Sequence, residues 1–184
     1  HYINYLYRPR RSVCAIGIGS FIDLSKVTTL IGKEHAPVGF QFYTEVRALG
    51  GGVIDLSGLE IISKGHIRFL SSRPEGESGD SFIDLSQLID TGTDGQRFFA
   101  AGFGHINIEK LSRLHNADLE LREGSQISTT HLTEITDSSV TLESTTHDFA
   151  LATNIDGSSF KVSAGATLSF PSVTTYVGTD AATY

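Results

Sequence analysis

Large apolar residues recur along this chain in a pattern that is neither helical nor a plain alternation. The unit reads apolar, polar, apolar, two free positions, apolar, two free positions, apolar. It stands at Ile22-Asp-Leu-Ser-Lys-Val27-Thr-Thr-Leu30, Ile54-Asp-Leu-Ser-Gly-Leu59-Glu-Ile-Ile62, Ile83-Asp-Leu-Ser-Gln-Leu88-Ile-Asp-Thr91 and Ile106-Asn-Ile-Glu-Lys-Leu111-Ser-Arg-Leu114. It returns from Ile127 to Ile135 and from Leu168 to Tyr176, with a degenerate copy from His147 through Phe149 and Ala152 to Ile155. The opening alternation predicts a short strand with one side on a core, and the change to steps of three predicts a bend into another strand. No window carries the i, i+3, i+4, i+7 spacing of an amphipathic helix.

A second short strand, apolar-x-apolar, follows the unit: Phe40-Gln-Phe42, Ile67-Arg-Phe69, Phe98-Phe-Ala100, Leu119-Glu-Leu121, Val140-Thr-Leu142 and Phe160-Lys-Val162. The stretch 124–135 overlies 165–176 without a gap, glycines and large apolar residues coinciding. A fixed period of about 20 residues with no helical segment predicts an all-β chain, a single-stranded parallel β-helix of about seven coils. At roughly 4.8 Å per coil the stack would rise about 34 Å. Residues 20–178 form this solenoid, and 179–184 are a C-terminal tail. Residues 1–19 do not fit the repeat and are expected to be an N-terminal cap or an extended arm reaching a neighbouring subunit. Extra residues at 32–39, 43–52 and 70–81 predict longer loops in the first three coils. The last two insertions follow the same strand and are expected to stack on one side.

Composition narrows the function. The chain has 184 residues, a net charge of −7 and one cysteine, Cys14. An intrachain disulfide framework is excluded. The charge argues against a general nucleic-acid binder, and no apolar run reaches the length of a membrane span. Residues 1–33 carry a net +4, 34–122 a net −5 and 123–184 a net −6. In a solenoid, order along the chain is order along an axis, so this asymmetry becomes a basic end and an acidic end.

Candidate chemistry is sparse. Asp23, Asp55 and Asp84 share one repeat position. Stacked carboxylates either cap backbone amides at a coil corner or share a Ca2+ ion, the only cofactor this pattern suggests. Arg47, Arg73, Glu75, Glu77 and Asp80 are read as loop charges that would bind a cell-surface glycan. Lys64 and Arg68, or Asp80, Asp84 and Asp90, could be cast as proton-transfer groups of a polysaccharide lyase or hydrolase. The histidines share no repeat position and are expected on strand surfaces. There is no phosphate loop, nucleophile elbow or dinucleotide fingerprint.

The copies Ile-Asp-Leu-Ser-x-Leu/Val and Gly-Ala-Thr-Leu-Ser-Phe-Pro-Ser-Val-Thr-Thr-Tyr resemble repeats of large bacterial extracellular β-helix proteins of the adhesin, stalk and filament kind. That resemblance, over 20–178, implies a parallel β-helix at the cell surface and no catalytic residues. The functional expectation is a non-catalytic structural protein whose partner is itself, stacked head to tail. Its interface would comprise Tyr2, Tyr5, Tyr7, Arg8, Arg10 and Arg11 at the basic end and Val173, Tyr176, Asp180 and Tyr184 at the other. The alternative is a carbohydrate-active β-helix that uses the loops of the first three coils.

Overall fold

The computed structural model describes residues 12–32, 44–74 and 76–178. Among them the chain is a parallel β-helix of seven coils, with eighteen strands, every pairing parallel and no helix. The first coil holds β1 (Ser12–Ile16), β2 (Phe21–Asp23) and β3 (Thr29–Ile31), and the second β4 (Thr44–Leu49), β5 (Val53–Asp55) and β6 (Ile61–Lys64). The third holds β7 (Ile67–Ser72) and β8 (Ser81–Asp84), paired with β4 and β5, and past β8 it meets β6 through a single bridge from Asp90 to Ile61. The fourth has β9 (Gln96–Ala101), β10 (Gly104–Asn107) and β11 (Arg113–His115). The fifth has β12 (Ala117–Leu121), β13 (Gln126–Ile127) and β14 (Glu134–Thr136). The last two carry β15 (Ser139–Glu143) with β16 (Thr146–Asp148), and β17 (Ser159–Ser163) with β18 (Thr167–Ser169).

Each coil therefore has three sides. The first side is one continuous sheet in the order β1-β4-β7-β9-β12-β15-β17. The second is β2-β5-β8-β10-β13, with β16 and β18 paired to each other in the same place of the last two coils. The third is made of the pairs β3-β6 and β11-β14 and of single bridges.

The repeat unit maps onto the second side, a corner and the third side. Ile54, Ile83, Ile106 and Ile127 form one buried column, and Leu59, Leu88, Leu111 and Leu132 another. The steps of three close a turn in every coil. Val27 donates to the Leu24 carbonyl at 2.9 Å, Leu59 to Leu56 at 2.8 Å and Leu88 to Leu85 at 2.9 Å, and Leu111, Leu132, Ala152 and Val173 repeat the bond. Each of these bonds spans three residues, as a β-turn requires. The first side contributes Val46, Phe69, Phe98, Leu119 and Val140, in register from strand to strand. Phe69 and Phe98 stack with ring centroids 5.4 Å apart.

The corner between the third and first sides needs a left-handed residue. Gly65, Asn116, Asp137 and Gly157 supply it, with φ of 81°, 47°, 50° and 70°. Asn and Asp are the side chains that accept this region most readily. In the longer third coil, buried Gln96 secures the corner. Its amide donates to the Gly65 and Asp94 carbonyls and its oxygen accepts from the Ile67 amide, each at 2.9 Å.

Three expectations change. Residues 44–49, read as part of an insertion, are the wall strand β4. Their inward residues Val46 and Ala48 are small, so the alternation was inconspicuous. Ser12–Ile16, set apart from the repeat, pairs with β4 as the first strand of the same wall. In β7 the residues in register with Phe98-Phe-Ala100 are Phe69-Leu-Ser71, two positions beyond Ile67-Arg-Phe69. The even shift leaves the same side chains facing inward. The one long connection described between first and second sides is thus 73–80. Phe40–Phe42, 33–39 and the segments 1–11 and 179–184 lie outside the described residues.

Candidate functional site

The outer positions of the first side form a connected charged surface. Glu45 lies 3.8 Å from Arg47 and 3.5 Å from Arg68. Glu120 accepts from Arg97 at 2.9 Å and from Arg122 at 2.8 Å, and Arg122 lies 3.4 Å from Glu143. Burial works to raise the Glu120 pKa, but the bonds from Arg97 and Arg122 outweigh it and hold the carboxyl below its usual range. Phe99 projects between them, with the Arg68 and Arg122 guanidiniums 5.7 and 5.4 Å from its ring centre. Arg68 and Arg97 are direct register partners, and the Nε atoms of Arg47, Arg68 and Arg97 are buried without a hydrogen-bond acceptor. Burial, and then the neighbouring Arg97, pull the Arg68 pKa below the usual arginine value. Sequence reasoning missed this surface, because of these residues only Arg68, Phe99 and Glu120 fill the middle of an apolar-x-apolar unit, and it takes the strand register to set Glu45, Arg68 and Arg97 in one row.

A second feature lies where the first side turns into the second. Loop 73–80 stands over this corner, with Arg73 and His105 each 4.0 Å from Asp80. Arg73 stacks its guanidinium 3.9 Å from the ring centre of Phe103. Phe103 is 47% exposed and holds a left-handed φ of 62°, an uncommon conformation for a bulky residue. Its neighbour Gly104 is obligatory, since a Cβ there would overlap the Ser71 carbonyl. A groove of about 710 Å3 runs along this corner, lined by Arg73, Glu77, Phe103, Arg122, Glu123 and Glu143 among others. Of the expected glycan-loop residues, Arg73, Glu77 and Asp80 belong to this loop, and Glu75 lies outside the described residues. Arg47 does not belong to it. It sits on β4, paired with Glu45, because 44–49 is wall rather than loop.

The aspartate column is a ladder of turns. Asp23, Asp55 and Asp84 are in register, and each Oδ1 accepts the amide of the serine two residues on, at 2.9 Å. Asn107 continues the ladder, donating to Asp84 at 3.4 Å and accepting from the Glu109 amide at 3.2 Å. The Ser25 hydroxyl and then its amide hold the Asp23 carboxyl below its usual pKa. This is the amide-capping arrangement. Among the described residues, no three His, Cys, Asp or Glu side chains are grouped as a metal site.

The residues cast as proton-transfer groups are not brought together. Asp80 is on the corner loop, Asp84 on the second side, Asp90 and Lys64 on the third and Arg68 on the outer wall of the first. His147, expected on a surface, instead occupies the inward column, paired in register with Leu168. Burial pushes its pKa down. Cys14 is half-buried on β1, and burial raises its thiol pKa, with Arg47 opposing.

Both end coils leave apolar surface open. At one end Ile16, Ile18, Phe21 and Ile31 are 59–71% exposed, and Val13, Ile22, Leu24, Val27 and Leu30 are only partly covered. At the other, Phe160, Leu168, Phe170 and Val173 are partly covered, and Val162 and Tyr176 are about half exposed. Phe170 stacks on Phe149 at 5.1 Å and meets Phe160 edge-on at 4.9 Å. The Tyr176 hydroxyl donates to the Ser158 carbonyl at 2.7 Å. Of the expected interface residues, Val173 and Tyr176 are at this end, while Tyr2, Tyr5, Tyr7, Arg8, Arg10, Arg11, Asp180 and Tyr184 lie outside the described residues. Among the described residues no helix is long and apolar enough to cross a membrane. Comparison with protein-family models, curated proteins and solved structures finds no match.

Proposed function

We propose that this chain is a non-catalytic structural solenoid of the cell surface, a filament subunit or stalk segment that continues end to end with the next copy. The observation that carries this reading is the match between the two end coils. Continuing the register would set Val13 against Phe160, Ile22 against Leu168, Leu24 against Phe170, Val27 against Val173 and Leu30 against Tyr176. All are apolar or aromatic and at least partly uncovered. Among the described residues, β1 and β17 each also leave one strand edge without a neighbour, which favours pairing with another chain. Such a head-to-tail contact does not close on itself and grows into a fibre. The basic start and acidic finish of the sequence would strengthen it, and the extracellular place follows from the resemblance of the repeat. Light scattering at low and high salt tests the reading. Growth with concentration that weakens in salt is the expected result, since screening removes the attraction between ends. Scattering of a constant small particle at every concentration would end it.

A second reading, glycan binding at the 73–80 corner, is favoured by one observation: the exposed Phe103 ring held in a left-handed conformation beside the groove of about 710 Å3. Residues in such conformations cluster at ligand sites, and an aromatic edge among charged donors and acceptors suits a saccharide. Phe103→Ala and Arg73→Ala are each expected to weaken retention on a glycan array at least tenfold with the fold intact. If the intact chain retains no glycan, this reading is discarded.

A further inference from the structure

The second side changes character between the fifth and sixth coils. Its ladder runs without a gap through β2, β5, β8, β10 and β13, and among the described residues it stops there, because β16 pairs with β18 alone. Two polar side chains meet in the interior at this break. Thr129, 3% exposed, stands where the earlier coils have Leu56, Leu85 and Ile108. Half-buried His147 stands where they have Ile54, Ile83, Ile106 and Ile127. The Thr129 Oγ1 lies 3.5 Å from the His147 Nδ1, at the limit of a hydrogen bond. The other two sides stay joined across the same boundary. On the first side β12 pairs with β15. On the third, Ile135 donates to the Asn154 carbonyl and Thr153 to the Thr133 carbonyl, each at 2.9 Å.

Nothing beside this imidazole would stabilise a charge on it. Burial is the one influence on the His147 pKa, and it acts downward. Asp148, next along β16, is exposed and accepts from the Ser169 hydroxyl. In the fifth coil, 126–132 carries one titratable group, His131, whose Nε2 is buried without a partner. β18 carries no charged residue, and the Phe149 ring lies 6.4 Å from the imidazole between centres. We propose that the Thr129–His147 contact is an acid-sensitive joint, at which a proton on His147 parts the last two coils from the fifth along the second side. An unpaired charge is costly in an apolar column, and opening returns it to water. β16, β18 and the stacked Phe149 and Phe170 rings then move as one unit. That unit carries Leu168 and Phe170, part of the face offered to the next copy. The effect on growth rests on the end-to-end reading, whereas the opening itself does not. The closed form is fully favoured above about pH 6.5 and loses ground as the pH falls toward the folded pKa. An opened imidazole regains an ordinary pKa near 6.5, so pH 5 favours the open form by up to about thirtyfold over pH 8.

The test is amide hydrogen exchange on the full chain, dilute, at pH 8 and pH 5, corrected for the intrinsic rate. On going to pH 5 the wild type is expected to lose protection at 146–149 and 167–170 at least fivefold more than across β7 and β9. His147→Leu restores the apolar column and is expected to show no such selective loss. His131→Gln is expected to respond as the wild type does. Should circular dichroism show His147→Leu unfolded, His147→Gln, uncharged at both pH values, takes its place with the same expectation. Light scattering reads growth in parallel. Acidification should raise the concentration needed for fibres at least twofold more in the wild type than in the His147 variant. No selective loss in the wild type, an equal loss in the His147 variant, or a response abolished by His131→Gln would each overturn the proposal. So would fibres whose growth shifts alike in wild type and variant. The expected loss of protection in a chain that forms no fibre at pH 8 would uphold the joint and contradict end-to-end growth instead.

Discussion

At the scale of single residues, His147 shows how the repeat tolerates a side chain of the wrong kind. The same column holds Ile54, Ile83, Ile106 and Ile127, all buried. Burial puts the folded pKa of His147 below its ordinary value, near 6.5 for an unfolded chain. Its neutral form is the one the fold accepts. Stability is therefore complete above about pH 6.5 and is lost as the pH falls through the folded pKa. His147→Leu restores the column, and its gain in melting temperature should be about 2 °C larger at pH 5 than at pH 8. An equal gain at both values would show that the imidazole stays solvated. The sequence placed His147 at this repeat position but gave no measure of its burial. The aspartate ladder was more legible, because Asp-Leu-Ser recurs at Asp23, Asp55 and Asp84 and each serine amide is within reach of the carboxylate before it.

At the scale of elements, the second and third sides could be read almost entirely from sequence. Their inward residues are large, and one β-turn fixes the spacing in all seven coils. The first side was harder to read. Its inward column includes Ala48, Ser71 and Ala100, small enough to leave no apolar signal. The more apolar Phe40-Gln-Phe42 drew the reading away from β4. The stacking of Phe69 on Phe98 at the middle of this wall holds it against the core. Phe98→Ala should lower unfolding free energy by about 3–5 kcal/mol in denaturant titration, through lost burial and the cavity left between β7 and β12. A loss below about 1 kcal/mol would mean that neighbouring coils collapse into the space. The charged outer surface of the same strands stayed illegible for a different reason. Its residues share no type, and only register brings Glu45, Arg68, Arg97 and Asp118 into one row.

At the scale of the whole molecule, the interior is a column of apolar layers whose end layers resemble its middle ones. In the proposed assembly that continuity would be the physical basis for growth by stacking, and the charge gradient along the sequence would favour the head-to-tail order. A carbohydrate site on the corner would persist in such a fibre, since its lining lies between the end coils. The most direct measurement is the axial repeat of assemblies of the purified chain, by electron microscopy with averaging along the axis. Seven coils at about 4.8 Å predict a subunit repeat near 34 Å on an unbroken strand spacing. Discrete particles at all concentrations, or fibres whose subunit repeat does not match the coil stack, would contradict end-to-end continuation of the solenoid.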